Sequence, residues 1–239
     1  MTCVRLGRPT ACVAALGVLG AAQFLRERLP RAAAVPVSVA ASGALVGLAR
    51  RAGTGWDELG LARGRLGRGA RYGAPPALVV AAVYAAGAAL PATRPLFADA
   101  RAARTLPGAL RQALVDVPLG TVLLEETGFR AVLPALLRER YGARGADVLT
   151  AALFGLWHVL PSGALRAANP ALARASAGGS EPSRAATAAG NVLVTAAGGL
   201  LFGLLRRRGD SVLAPALAHG ALNSFGYLAA YTVRRPAEG

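Results

Sequence analysis

The sequence predicts an all-α fold: a polytopic bundle of about seven transmembrane helices with its functional site in the bundle interior. Hydrophobic residues make up 54% of the chain and charged residues only 16%, whereas about a quarter of the residues in a soluble domain are charged. The mean hydropathy is +0.43. The apolar residues also fall into long blocks with arginines between them, which is typical of helices that cross a bilayer.

Each apolar block is predicted to be a transmembrane span from its length and its flanking residues. The first follows two arginines like a signal peptide, but residues 23–26 form a poor cleavage site, so we expect an uncleaved helix. The fourth is long enough to tilt and carries Pro134, where we expect a kink. The predicted spans are residues 11–25, 32–49, 72–92, 108–138, 146–160, 185–205 and 211–231.

Two of the connections between these blocks have a distinctive composition. Residues 50–71 mix six arginines with Trp56 and several leucines, which indicates either an amphipathic interfacial element or an ordinary basic loop. Residues 164–184 are rich in Ala, Ser, Gly and Pro, and we expect a mobile loop there.

The formal net charge is +15, and all 27 residues counted as lysine or arginine are arginines. In a soluble chain this charge would indicate a nucleic-acid partner. Here almost all the arginines lie between or at the ends of apolar blocks, where they suit lipid headgroups and topology signals. We therefore expect the lipid bilayer as a partner and no nucleic acid.

The least expected residues in an apolar span are Glu125, Glu126 and Arg130. Each ionisable group costs roughly 2.5–3.5 kcal/mol at a bilayer centre, so such groups face a bundle interior or a cavity. Glu126 and Arg130 are four residues apart, share a helical face and can form an ion pair. Glu125 is displaced by about 100° and can point elsewhere. A purely structural ion pair is the alternative interpretation.

Both histidines of the chain also lie inside apolar spans. His158 follows Phe154 by four residues, and Asn223 follows His219 by four, so each pair shares one helical face. Trp157 is either a wall of the site or an interfacial anchor. Because burying these polar groups separately is costly, we expect one shared cavity.

Such a cavity suits hydrolysis of a peptide bond within or beside the membrane. A carboxylate in apolar surroundings can act as a general base towards water, while imidazole and amide N–H groups can bind an oxyanion. Glu125, His158 and His219 are also a plausible zinc set with an open fourth position. A transporter or proton relay is a rival function, but it predicts inverted repeats or paired broken helices, which the sequence does not show.

Three ordered motifs resemble those of the CPBP family, which comprises CAAX prenyl endopeptidases of the Ras-converting type and bacterial Abi-like proteins linked to bacteriocin processing and immunity. The motifs are Glu125-Glu126-x-x-x-Arg130, Phe154-x-x-x-His158 and His219-x-x-x-Asn223. The resemblance covers roughly residues 108–231. It divides a single integral membrane domain into an N-terminal part, residues 1–107, without a motif, and a catalytic core, residues 108–239.

The resemblance implies an intramembrane endopeptidase, either glutamate-dependent or of the metallo-type. In it, Glu125 and His158 would activate the attacking water, and His219 and Asn223 would stabilise the oxyanion. Glu126 and Arg130 would support the site, and Phe154 would pack beside His158. No cofactor is favoured, with zinc on Glu125, His158 and His219 as the alternative.

The resemblance also implies a membrane-associated protein or peptide as substrate. A non-catalytic bacteriocin-immunity or partner-binding protein with the same fold is the main alternative function. The exclusive use of arginine, with much alanine and glycine, indicates a GC-rich bacterial gene. We therefore expect an integral protein of the bacterial plasma membrane.

Overall fold

The structure is a computed structural model that describes residues 6–176, 178 and 183–234. These residues form helices and no strand, which confirms the all-α class. The helices are α1 (Arg8–Arg28), α2 (Ala34–Arg51), α3 (Trp56–Leu59), α4 (Leu66–Ala89), α5 (the helical run Leu106–Trp157), α6 (Val159–Ala168), α7 (Pro170–Ser176), α8 (Arg184–Gly209) and α9 (Leu213–Arg234).

The predicted number of seven spans is not confirmed. Four helices in the described part of the chain, α1, α2, α4 and α8, are long and apolar enough to cross a membrane, and α5 with α6 makes a fifth if this bent pair is one span. The fourth and fifth predicted spans lie on either side of Gly142, where α5 is broken into two helices, and the fifth continues past His158 into α6. Helix α9 has 22 residues, but it is not among the helices apolar enough to cross a membrane, because polar residues such as His219 and Asn223 lower its mean hydropathy.

Helix α5 is irregular where its conspicuous polar residues lie. Its α-helical parts are separated by wider π-helical turns at Gln112–Asp116, Pro118–Val122 and Thr127–Val132. Such turns are rare and occur frequently at functional sites. Further along, Gly142 has φ 67° and ψ 173°, outside the helical region. The sharp departure from helical geometry is therefore at Gly142, a residue that tolerates positive φ, rather than at Pro134.

The two connections with distinctive composition are more ordered than expected. Residues 164–168 and 170–176 are helical, in α6 and α7, so the expectation of a loop is wrong for these residues. Residues 177 and 179–182 of the predicted loop lie outside the described residues. Within residues 50–71, α3 is tied to α8 by Arg206, whose Nη2 donates to the backbone oxygen of Glu58 at 2.9 Å. Trp56 remains half exposed and stacks beneath the Arg50 guanidinium, as an interfacial anchor would.

Helix α4 begins six residues before the predicted start of the third span, at Leu66. Pro75 and Pro76 therefore lie inside it, not in its first turn. The early turns are held by packing, because Gly73 lies directly against the backbone of Ala214 in α9, with no room for a Cβ. Tertiary contact overrides the local preference of proline for the first turn of a helix.

The helices pack into a bundle whose outer surface suits lipid. Helices α1 and α2 pack against each other and against α5, where Ser38 Oγ donates to the backbone oxygen of Gly120 at 2.6 Å. Helix α9 packs along α4, and α8 packs along the second half of α5. Val13, Leu78 and Leu193 are each at least 70% exposed. Exposed apolar side chains on this scale are out of place in water but ordinary against lipid.

Candidate active site

Helices α5 and α9 bring the seven predicted site residues together at one place in the bundle. The middle of α5 carries Glu125, Glu126 and Arg130, and its end carries Phe154, with His158 directly after its last residue. Helix α9 carries His219 and Asn223. Glycine allows the close approach of α5 to α8, because a Cβ at Gly155 would meet the backbone oxygen of Val192. The bend of 46° between α5 and α6 falls at His158 and ends α5 at the site.

Glu125 lies between the two imidazoles. Its Oε2 atom is 3.9 Å from His158 Nε2 and 3.7 Å from His219 Nε2. Its Oε1 atom accepts a hydrogen bond of 3.1 Å from Trp157 Nε1. Glu125 is only 4% exposed, and Oε2 has no hydrogen-bond partner within the described part of the chain. A separation of 3.7–3.9 Å is too long for a direct hydrogen bond.

Glu126 lies next in the chain but has different partners. Its Oε1 atom is 2.8 Å from His219 Nδ1 and 3.6 Å from Arg130 Nη1. All three side chains are nearly fully buried, with Glu126 1% and Arg130 3% exposed. The predicted ion pair therefore exists, and it also contacts the imidazole of α9.

Hydrogen-bond partners assign the protons on both imidazoles. His158 Nδ1 lies 2.8 Å from the backbone oxygen of Phe154, and since a carbonyl oxygen can only accept, Nδ1 carries the proton. His219 Nδ1 donates in the same way to the Glu126 carboxylate. In each neutral ring the Nε2 lone pair therefore faces the side of Glu125. Asn223 Nδ2 lies 3.1 Å from His219 Nε2 and donates to it.

Aromatic rings enclose the ion pair. The Arg130 guanidinium lies 3.9 Å from the Phe154 ring centre and 5.0 Å from that of Phe202. Phe202 also stacks on His219 at 5.0 Å with an interplanar angle of 21°. Phe154 meets His158 edge-on at 4.6 Å. Since cation–π contacts strengthen when they are desolvated, these rings stabilise the arginine and fix the planes of both imidazoles.

A zinc ion on Glu125, His158 and His219 is the alternative that the sequence allows. Tetrahedral zinc places its nitrogen and oxygen ligands about 3.3 Å apart, whereas Glu125 Oε2 lies 3.9 and 3.7 Å from the two Nε2 atoms. His219 Nε2 also already accepts from Asn223. Among the described residues, no group of three or more His, Cys, Asp and Glu side chains could hold a metal ion. In this arrangement the side chains do not fit zinc.

The structure adds three residues that the motifs do not include. Trp157 donates to Glu125, Phe202 stacks on His219, and Asn191 Nδ2 donates to the backbone oxygen of His158 at 2.9 Å. Asn191 could have been found from the sequence, because it is an amide inside an apolar span, like Asn223. Phe202 carries no such signal, since phenylalanine is ordinary in a membrane helix.

The geometry can be compared with known proteins. A family model described as type II CAAX prenyl endopeptidase Rce1-like matches residues 107–225, about half of the chain. The matched stretch runs from the start of α5 to the middle of α9 and includes all three motifs. No curated protein and no solved structure matches the chain.

Proposed function

The chain belongs to the type II CAAX prenyl endopeptidase Rce1-like family, and we propose that it hydrolyses a peptide bond within or beside the membrane with Glu125 as the general base. The membership and the apolar helices make it an integral membrane protein of a protease family.

One observation carries the proposed mechanism. Glu125 Oε2 lies 3.7–3.9 Å from two imidazole nitrogens and has no hydrogen-bond partner among the described residues. A water molecule at this point would donate one proton to the carboxylate and the other to an Nε2 lone pair, which orients its oxygen lone pair for attack. Geometry of this kind is the first requirement of a general base.

The reaction then needs only this chain's side chains and water. Glu125 takes a proton from water as the water oxygen attacks the scissile carbonyl carbon, with His158 Nε2 holding the second proton of the water. The tetrahedral intermediate collapses when the C–N bond breaks, and the protonated Glu125 returns its proton to the leaving amine. The same carboxyl group thus serves first as base and then as acid.

Asn223 is the donor best placed for the oxyanion. One N–H of its amide donates to His219 Nε2, which leaves the second N–H for a developing negative charge. His219 can donate from Nε2 only when that atom carries a proton, so in the neutral ring its role is to orient Asn223. A preorganised donor of this kind is worth about 2.7–4 kcal/mol of transition-state stabilisation.

Glu126, Arg130 and Phe154 support this arrangement. The Glu126 carboxylate fixes His219 by accepting from Nδ1, Arg130 offsets the charge of Glu126, and Phe154 packs between Arg130 and His158.

Because the fit to zinc fails, the proposed mechanism uses no metal. Elemental analysis of active protein tests this. Stoichiometric zinc whose removal by a chelator abolishes turnover would contradict the metal-free mechanism.

A membrane-anchored peptide or protein is the proposed substrate. A groove of about 710 Å³ lies between α1 and the end of α5, with Leu16, Leu156 and Trp157 in its walls. Leu16 and Leu156 are exposed on the outer surface of the bundle, so the groove opens where lipid would lie. It leads to the indole that contacts Glu125, which supports entry from the bilayer. We place the protein in a bacterial plasma membrane.

The test is turnover by purified protein reconstituted in lipid. Glu125→Gln and His158→Ala should each abolish cleavage of a membrane-anchored peptide, with unchanged expression and unfolding midpoint. Comparing membrane proteomes of cells with and without the gene identifies the natural substrate. If the Glu125→Gln protein protects cells from a bacteriocin or binds a partner as well as the wild type does, the non-catalytic immunity function replaces the enzyme.

A further inference from the structure

Trp157 contacts the carboxylate that the proposed mechanism uses. Its indole Nε1–H donates to Glu125 Oε1 at 3.1 Å. Within the described part of the chain no other hydrogen-bond donor to this carboxylate is present, and Oε2 has no partner. The hydrogen bond therefore determines which oxygen is held and which is left facing His158 and His219.

One side of the indole is packed, and the other is open to the groove. Its ring packs edge-on against Phe129 with ring centres 5.6 Å apart, and its other side lines the groove between α1 and α5. An indole N–H can only donate, so it does not compete for the proton that Glu125 must take. A donor on one oxygen of a carboxylate fixes the direction in which the other oxygen points.

We propose that Trp157 is a positioning residue for Glu125: its N–H group holds Oε1 so that Oε2 faces the two imidazoles. This inference rests on the proposed function of Glu125 as general base. In this role the indole does more than line the groove. Only its N–H group acts on the carboxylate, and the ring itself does not.

The first test measures turnover. Trp157→Phe should lower kcat by about 10- to 100-fold, the effect of losing one hydrogen bond to a charged group, while KM stays within about twofold. Trp56→Phe is the matched control, because Trp56 lies on α3 and stacks on Arg50 away from the site; it should leave kcat unchanged. Wild-type kcat in Trp157→Phe, together with an inactive Glu125→Gln, would overturn the positioning role but not the proposed function.

A second variant separates the N–H group from ring packing. Incorporation of 3-benzothienylalanine at position 157 keeps the bicyclic shape and replaces N–H by sulfur. We expect it to be as impaired as Trp157→Phe. Wild-type kcat in this protein would show that the ring alone suffices and would overturn the proposal.

A spectroscopic measurement tests the contact without depending on activity. In a Trp56→Phe background Trp157 is the remaining tryptophan of the chain, so the protein gives one indole N–H signal in a ¹H–¹⁵N spectrum. Glu125→Leu removes the acceptor and should move that proton resonance upfield, while Glu27→Leu, at the groove rim, should not. An unmoved resonance in Glu125→Leu would overturn the inference even if no peptidase substrate had been found.

Discussion

Replacing Arg130 by leucine should destabilise the protein more than any exposed arginine substitution. Arg130 is 3% and Glu126 1% exposed, with 3.6 Å between Nη1 and Oε1. Removing one partner of a buried ion pair costs about 3–5 kcal/mol because it leaves an uncompensated buried charge. Loss of the cation–π contacts with Phe154 and Phe202 adds to this, and leucine packing against the same rings offsets part of that second loss.

The measurement is the free energy of unfolding in mixed detergent micelles, with exposed Arg104→Leu as the matched control. The double variant Arg130→Leu/Glu126→Leu should be less destabilised than the sum of the single variants Arg130→Leu and Glu126→Leu, because removing both partners leaves no uncompensated charge of the pair. His219 Nδ1 still loses its acceptor in the double variant. The prediction is refuted if the free energy of unfolding of Arg130→Leu lies within about 1 kcal/mol of the wild-type value, a difference ordinary for any point mutation. It is also refuted if the destabilisations of Arg130→Leu and Glu126→Leu simply add in the double variant.

The remaining predictions concern one site residue and two structural positions. Asn223→Ala should lower kcat by about 10²- to 10³-fold with little change in KM; a loss confined to KM in steady-state kinetics would contradict an oxyanion role. Gly60→Ala should lower the free energy of unfolding by at least about 1 kcal/mol, because Gly60 has φ +68° and lies against Arg206. An unchanged denaturation midpoint would refute this prediction. Burial alone would raise the pKa of Asp99, but hydrogen bonds and charge from Arg101 hold that pKa below its usual value. The stability that this pair contributes is therefore present above about pH 4 and is lost as pH falls through the lowered pKa. The difference in thermal midpoint between wild type and Asp99→Asn should shrink below about pH 4. A difference that stays constant with pH would contradict this prediction.

The polar residues of the site could be predicted from the sequence, because burying a polar side chain in lipid costs free energy. An acid, an imidazole or an amide in a membrane helix needs a partner, so Glu125, His158 and His219 stand out without any structure. The same rule applied to Asn191 would have added it. Trp157 and Phe202 could not be assigned in this way, because an aromatic ring is favourable in an apolar span whether or not it touches a catalytic group.

The course of the helices was harder to predict, because it depends on contacts between distant segments. Helix α4 begins six residues before the predicted start of the third span, and Gly73 in this helix lies against Ala214 of α9. The segment after His158 becomes helical, and Asn169 Nδ2 there donates to the backbone oxygen of Leu96 at 2.8 Å. Composition carries no information about a hydrogen bond between residues so far apart in the chain, so the ends and number of spans could not be fixed from hydropathy.

The different surroundings of Glu125 and Glu126 follow from helical geometry. Successive side chains point about 100° apart, so only one of the two acids can face the arginine one turn away. Glu126 takes that position and lies within 4 Å of both Arg130 Nη1 and His219 Nδ1. Glu125 points to the other side and receives its hydrogen bond from an uncharged indole. In the described part of the chain Glu126 has an ion pair with Arg130, whereas Glu125 has a hydrogen bond on one oxygen and no hydrogen-bond partner on the other. This is why the proposed base is Glu125 and the supporting residue is Glu126.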